Sequence, residues 1–147
     1  MDNIIISHHT FDNLEAVAEI ENLSIIPPWS YRAICDFASF NSNRILVAIN
    51  KKEVVGYITY SVVLDEVQIA NVAVHPSHRR QGIANKLLSY LCNEAKNSKM
   101  SLIMLEVRQS NEAAIKIYNK LGYIEVGRRN NYYKNPAEDA ILMNLTL

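Results

Sequence analysis

The chain has 147 residues, 49% of them hydrophobic, a length that fits one domain and a composition that fills its core without cross-links. Its 15 basic and 15 acidic residues cancel to a formal net charge of zero, which speaks against a nucleic-acid binder relying on a broad basic face and leaves room for a small local basic site. The 2 cysteines, Cys35 and Cys92, stand in no metal-binding spacing, and no segment approaches the roughly 20 apolar residues of a membrane span.

The opening residues, Met1 to Ile6, lack the basic and apolar regions of a secretory signal. The expectation is a soluble cytoplasmic protein with reduced thiols, no bound metal, no nucleic acid and no membrane contact. No repeat or linker divides the chain, so residues 1–147 are expected to form a single domain.

Residues 3–8 read as a short strand. From Asp12 to Leu23, Leu14, Val17, Ala18 and Ile20 fall at helical spacing, with Asp12 as a candidate cap. Pro27 and Pro28 break that helix, and Ser30 caps a second one from Tyr31 to Phe40. Arg44 to Ile49 is a strand, and Lys51-Lys52 a turn. Val54 to Val63 and Glu66 to Val74, rich in β-branched and aromatic residues, form a hairpin turning at Leu64-Asp65. A helix of about four turns then runs to Asn97, with Ile83, Leu87, Leu88, Leu91 and Ala95 as its core stripe. Ser101 to Val107 is a strand. Ser110 or Asn111 caps a helix to Leu121, and Gly122 ends it. Tyr123 to Val126 and Ala140 to Leu145 are strands joined by a polar loop around Asn130 to Pro136. This order predicts a mixed sheet flanked by four helices, of the α/β or α+β class.

The join between the hairpin and the long helix carries Arg79, Arg80, Gln81 and Gly82. A strand running into a helix leaves the first turn's N–H groups unpaired, which suits an anion. Gly82 lets the backbone approach a ligand without a Cβ in the way. A diphosphate would satisfy these donors; a solvated basic turn is the plainer alternative. His8, His9, His75 and His78 form no ligand spacing and read as surface or loop residues. Glu106 shares a strand face with Leu102 and Met104 by period-two alternation, so its carboxylate is expected to be partly dehydrated. It reads either as a general base or as a strand-end carboxylate paired with Arg108.

The Arg-x-x-Gly-x-Ala pattern of Arg79 to Ala84, followed by Asn-x-x-Ala-x-x-x-Tyr-x-x-x-Gly-Tyr from Asn111 to Tyr123, resembles the GCN5-related N-acetyltransferase (GNAT) family. Where that family often has a second glycine, this chain has Ala84. Smaller motifs (Pro28-Trp29-Ser30, Leu64-Asp65-Glu66, Leu105-Glu106-Val107-Arg108, Arg128-Arg129 with Tyr132-Tyr133, and Glu138-Asp139-Ala140) resemble its ribosomal-protein-alanine branch over nearly the whole chain.

The resemblance implies the acyl-CoA N-acyltransferase fold, with acetyl-CoA as co-substrate. It implies that backbone groups of Val72, Ala73 and Val74 hold the pantetheine arm. Arg80, Gln81, Gly82, Ile83, Ala84 and Asn85 would hold the pyrophosphate. Asn111 would bond the arm or merely cap its helix. Glu106 would be the base and Tyr118 the acid, with the Val74 N–H on the oxyanion. Trp29, Tyr132, Tyr133, Glu138 and Asp139 are acceptor-side candidates, each with an ordinary packing or solvated role as the alternative. The implied acceptor is the amino terminus of a protein, foremost the N-terminal alanine of a small-subunit ribosomal protein. A small-molecule amine, a lysine side chain, or non-catalytic acyl-CoA binding are the alternatives.

Overall fold

In the computed structural model, which describes residues 3–147, the β-branched runs pair into one seven-stranded sheet. The strands are β1 (Ile4–His8), β2 (Asn43–Asn50), β3 (Glu53–Val63), β4 (Glu66–Val74), β5 (Leu102–Arg108), β6 (Ile124–Tyr133) and β7 (Glu138–Thr146). The helices are α1 (Leu14–Ser24), α2 (Tyr31–Ala38), α3 (Ile83–Asn97) and α4 (Glu112–Lys120). The sheet order is β1-β2-β3-β4-β5-β7-β6, and β4–β5 is its parallel pair.

Helices cover both faces, as the mixed α/β reading requires. On one face α3 and α4 enclose the larger core, built from Leu46, Ile58, Ile103, Leu105 and Met143 among others. The predicted α3 stripe is buried, from Ile83 to Ala95. Each of its leucines contributes about 1.5–3 kcal/mol by leaving water. On the other face α1 and α2 pack Leu14, Val17, Ile20 and Ile34 onto Ile45, Val47, Tyr57 and Ala73.

The caps at Ser30 and Asn111 are present: each side chain accepts from a backbone N–H three residues on, Ala33 and Ala114. Asp12 does not cap α1. It lies in a 3-10 turn, Phe11–Asn13, where the Thr10 N–H donates to Asn13 Oδ1 at 2.7 Å. The polar loop expected around Asn130 to Pro136 is also corrected. β6 continues to Tyr133, and residues 134–137 alone turn. Most of β6 is solvent-exposed at the sheet edge, so its sequence carries no buried face to betray the strand.

Among the described residues, no helix is long and apolar enough to cross a membrane.

Candidate active site

β4 and β5 pair over three positions only, Glu66 to Gln68 with Leu102 to Met104. Beyond them each strand follows its other neighbour. β4 stays on β3 as far as Val74 opposite Gly56, and β5 stays on β7 as far as Arg108 opposite Ala140. A bulge helps to part them: Tyr60 faces Ile69 and Thr59 faces Asn71, so Ala70 is an extra residue in β4. A wedge therefore opens between two strands in the middle of the sheet. The His75 N–H donates to Val55 O at 2.8 Å, on the β3 side. By alternation, Val72 and Val74 direct their backbone groups into the wedge.

The chain does not pass straight from β4 into α3. A 3-10 turn, Pro76–His78, intervenes, and His75 Nδ1 braces it by accepting from the Ser77 N–H at 3.1 Å. Arg80 and Gly82 then take left-handed conformations, φ 63 and 74. A Cβ on Gly82 would meet nothing within 4 Å, so backbone conformation rather than crowding selects glycine here. Arg79, though exposed, folds back over the chain: its Nε donates to Val74 O at 3.2 Å and its guanidinium to Ser24 Oγ at 3.3 Å. No side chain caps α3. The N–H groups of Ile83, Ala84 and Asn85 thus form a donor cluster at the positive end of a 15-residue helix. Gln81, Gly82 and Asn85 are exposed around it. This backbone fits a diphosphate.

Gly56 carries the same logic into the packing. A Cβ there would lie 3.1 Å from Ala73 O and 3.1 Å from Ile83 Cγ2. Its absence lets α3 seat its first turn directly on β3, beside the end of β4.

Glu106 faces the α1–α2 side of β5, where no helix covers it. Its carboxylate is 31% exposed and lies 3.4 Å from Arg129 Nε, not on Arg108. Tyr132 and Tyr133 flank it. Glu106 opposes ionisation of both phenols: it is the leading cause of the upward shift for Tyr132, whereas burial leads for Tyr133, which is pushed up to about 12. Tyr118 lies on α4 in the larger core, 5.6 Å from the Tyr123 ring. Burial, with Tyr133 nearby, pushes its phenol up to about 12 as well. Its hydroxyl holds its proton at every physiological pH.

The sequence pattern of the acetyltransferase (GNAT) family matches residues 10–123. The chain belongs to the GNAT acetyltransferase family. It is 40% identical, over 99% of its own length and 98% of the relative's, to the ribosomal protein bS18-alanine N-acetyltransferase of Escherichia coli. The crystal structure of the ribosomal-protein-S18-alanine N-acetyltransferase from Escherichia coli superposes with a TM-score of 0.91 at 33% identity, covering 98% of this chain and 94% of that one. Arabidopsis thaliana NAA60, solved in complex with acetyl-CoA, shares the fold at a TM-score of 0.90 and 17% identity, covering 99% of both chains. The protein is thus an acyltransferase of the GNAT fold.

In this acetyltransferase the remaining sequence-predicted residues take distinct places. Trp29 packs against Phe37 with rings tilted at 44° and centroids 5.2 Å apart, at the edge of the smaller core. Asn111 Oδ1 accepts from the Ala114 N–H at 3.2 Å; its amide N–H donors remain uncommitted among the described residues. Glu138 is engaged internally: Arg108 donates to it at 2.9 Å, and Ser110 donates through both its N–H and its Oγ. Arg108 foremost, with Ser110, holds its carboxyl below the usual range. Asp139 Oδ1 accepts from the Asn131 N–H at 2.9 Å. Glu106, Tyr132 and Tyr133 therefore gather at one place. Tyr118 lies in the larger core on the other face, near Tyr133. Glu138 is tied to Arg108 and Ser110, and Asp139 into the β6–β7 hairpin.

Sequence reasoning missed Glu21. It is fully buried beneath the site, 0% exposed. Its carboxylate accepts from the Trp29 N–H at 3.0 Å, from Asn71 Nδ2 at 3.1 Å and from the Tyr57 hydroxyl. One group thus joins α1, the α1–α2 connection, β3 and the β4 bulge. The available signal was a glutamate one turn after Val17 on the apolar stripe of α1.

Proposed function

We propose that this enzyme moves the acetyl group of acetyl-CoA to the α-amine at the amino terminus of a protein, foremost the N-terminal alanine of a small-subunit ribosomal protein. The observation that carries the acceptor is the end-to-end 40% identity to an enzyme named for that substrate. Such an acceptor places the enzyme in the cytoplasm, with residues 1–147 working as one domain.

The geometry supports a direct transfer. Val72 and Val74 offer main-chain groups to the pantetheine arm, whereas the backbone of Ala73 between them is turned to β3 opposite Tyr57; Asn111 adds an amide donor. Arg80, Gln81, Gly82, Ile83, Ala84 and Asn85 surround the pyrophosphate. A protein α-amine has a pKa of about 7.7–8.0, so a modest fraction is neutral at pH 7. Glu106 takes the proton that the amine sheds as its nitrogen bonds to the acetyl carbon. The Val74 N–H donates to the carbonyl oxygen as negative charge builds there. Tyr118 donates a hydrogen bond to the departing sulfur. With its phenol near 12, full proton transfer to a thiolate of conjugate-acid pKa about 8.5–10 is uphill, so the hydroxyl acts chiefly by hydrogen bonding. Trp29, Tyr132 and Tyr133 wall the acceptor slot, with Glu138 and Asp139 shaping the hairpin behind it. No step calls for a metal.

The test is incubation with labelled acetyl-CoA and synthetic peptides. Transfer to the α-amine of an alanine-starting ribosomal peptide is the expected result. Transfer only to lysine side chains or polyamines would overturn the acceptor. Tight cofactor binding without turnover on any amine would make the protein a binding module.

A further inference from the structure

Arg108, 20% exposed at the end of β5, makes contacts in three directions. One terminal nitrogen donates to Glu138 Oε1 at 2.9 Å and to Pro136 O at 3.2 Å. The other donates to Lys134 O at 3.1 Å and to Ile26 O at 3.1 Å. The guanidinium carbon lies 4.4 Å from the centroid of the Tyr133 ring. Pro136 and Lys134 belong to the β6–β7 turn, while Ile26 belongs to the α1–α2 connection that carries Trp29. These two segments would wall the proposed acceptor slot facing Glu106, and Arg108 grips both.

The far end of the α1–α2 connection is fixed separately, by the Trp29 N–H on buried Glu21. The hairpin's other anchor is Glu138, held by Ser110 at the mouth of α4. Arg108 is thus the bridge between two otherwise separately moored walls. A planar fork with five donors suits four acceptors on two segments; a lysine ammonium has three donors and no fork.

We infer that Arg108 is a positioning residue that fixes the width of the acceptor slot and thereby restricts the acceptor's first residue to a small one. The inference rests on the proposed acceptor site. It predicts that weakening the bridge loosens both walls together and relaxes acceptor choice, leaving the cofactor wedge alone.

The test combines amide hydrogen exchange on the ligand-free enzyme with steady-state kinetics, for wild type, Arg108→Lys, Arg108→Gln and Glu138→Gln. Losing charge-assisted bonds of this kind should speed exchange about tenfold or more in residues 25–30 and 133–138 at once. KM for an alanine-starting peptide should rise about tenfold, and the preference for alanine over leucine at the first position should fall by a similar factor. KM for acetyl-CoA should stay within about twofold of wild type. Glu138→Gln, which leaves the carbonyl contacts in place, should shift the same readouts less, and it serves if the Arg108 variants fold poorly. Exchange unchanged, or faster in one wall only, overturns the bridge. Intact first-residue selectivity beside loosened walls overturns the role in recognition. If the wild type acetylates no protein amino terminus, the proposed function fails, and the exchange experiment still decides whether Arg108 couples the walls.

Discussion

Glu106 and Arg108 stand on the same face of β5 and do not pair. Arg108 takes Glu138 at 2.9 Å, while Glu106 lies 3.4 Å from Arg129. The two contacts differ in kind. Arg108 and Glu138 are largely covered and share further hydrogen bonds, whereas Arg129 is 56% exposed. An exposed ion pair contributes little, about 0–1 kcal/mol, so under the proposed mechanism an arriving amine would displace Arg129 from Glu106 at small cost.

Glu106→Gln keeps the shape of the side chain and removes the proton acceptor. Turnover should fall about 10²- to 10⁴-fold, with affinity for acetyl-CoA unchanged. Steady-state rates at neutral pH, with calorimetric titration of the cofactor, check this. Unchanged turnover would remove Glu106 from the mechanism.

Tyr118→Phe should be milder, lowering turnover about tenfold, because in the proposed mechanism the phenol contributes a hydrogen bond rather than a facile proton transfer. Its proton is lost only near pH 12, so wild type should show no falling limb between pH 8 and 10 that disappears in the variant. A limb of that kind would contradict the assignment.

The same shift makes a statement about alkaline stability. Tyr118 titrates near 12 when folded and near 10 when unfolded, so its contribution is complete below pH 10 and is lost as pH rises toward 12. Above pH 10 the unfolded chain binds fewer protons, and stability falls with pH. Wild type should lose about 2 kcal/mol more than Tyr118→Phe between pH 9 and 12, measured by urea unfolding. Parallel curves would contradict it.

Gly82→Ala meets no steric neighbour but strains a left-handed residue, costing about 1–2 kcal/mol. Gly82→Glu also sets a negative charge against the donor cluster. The glutamate variant should weaken acetyl-CoA binding at least about tenfold, and the alanine variant less. Cofactor titration of both measures this, and unchanged affinity for the glutamate variant argues against the cradle.

Glu21→Gln leaves a single oxygen to serve three donors and turns an amide toward the rest. The expected loss is about 2–4 kcal/mol, or a fall in Tm of roughly 5–15 °C. Trp29, the single tryptophan, reports the α1–α2 connection, and its emission should shift to longer wavelength.

What the sequence made legible was local. The α3 stripe, the caps at Ser30 and Asn111 and the turn ending at Gly82 follow from spacing and residue chemistry within one element. The misread parts depended on distant partners. Glu21 is buried because Tyr57 and Asn71 meet it from 36 and 50 residues away. Arg108 acts on Ile26, 82 residues back along the chain. Period-two alternation correctly placed Glu106 with Met104 on one face. It could not tell that Arg129 rather than Arg108 would stand beside it, because strand order decides that neighbour. β6 reads as a strand only as far as Val126, because an edge strand with little to bury has no reason to alternate.

The parting of β4 from β5 divides the sheet into leaves of four and three strands, zipped together by three rungs at one end. A cofactor arm held there as proposed would complete the missing rungs, behaving as an eighth strand without side chains. Capturing the arm and finishing the sheet would then draw on the same main-chain groups, and the protein should melt as a firmer, more cooperative body whenever that place is taken.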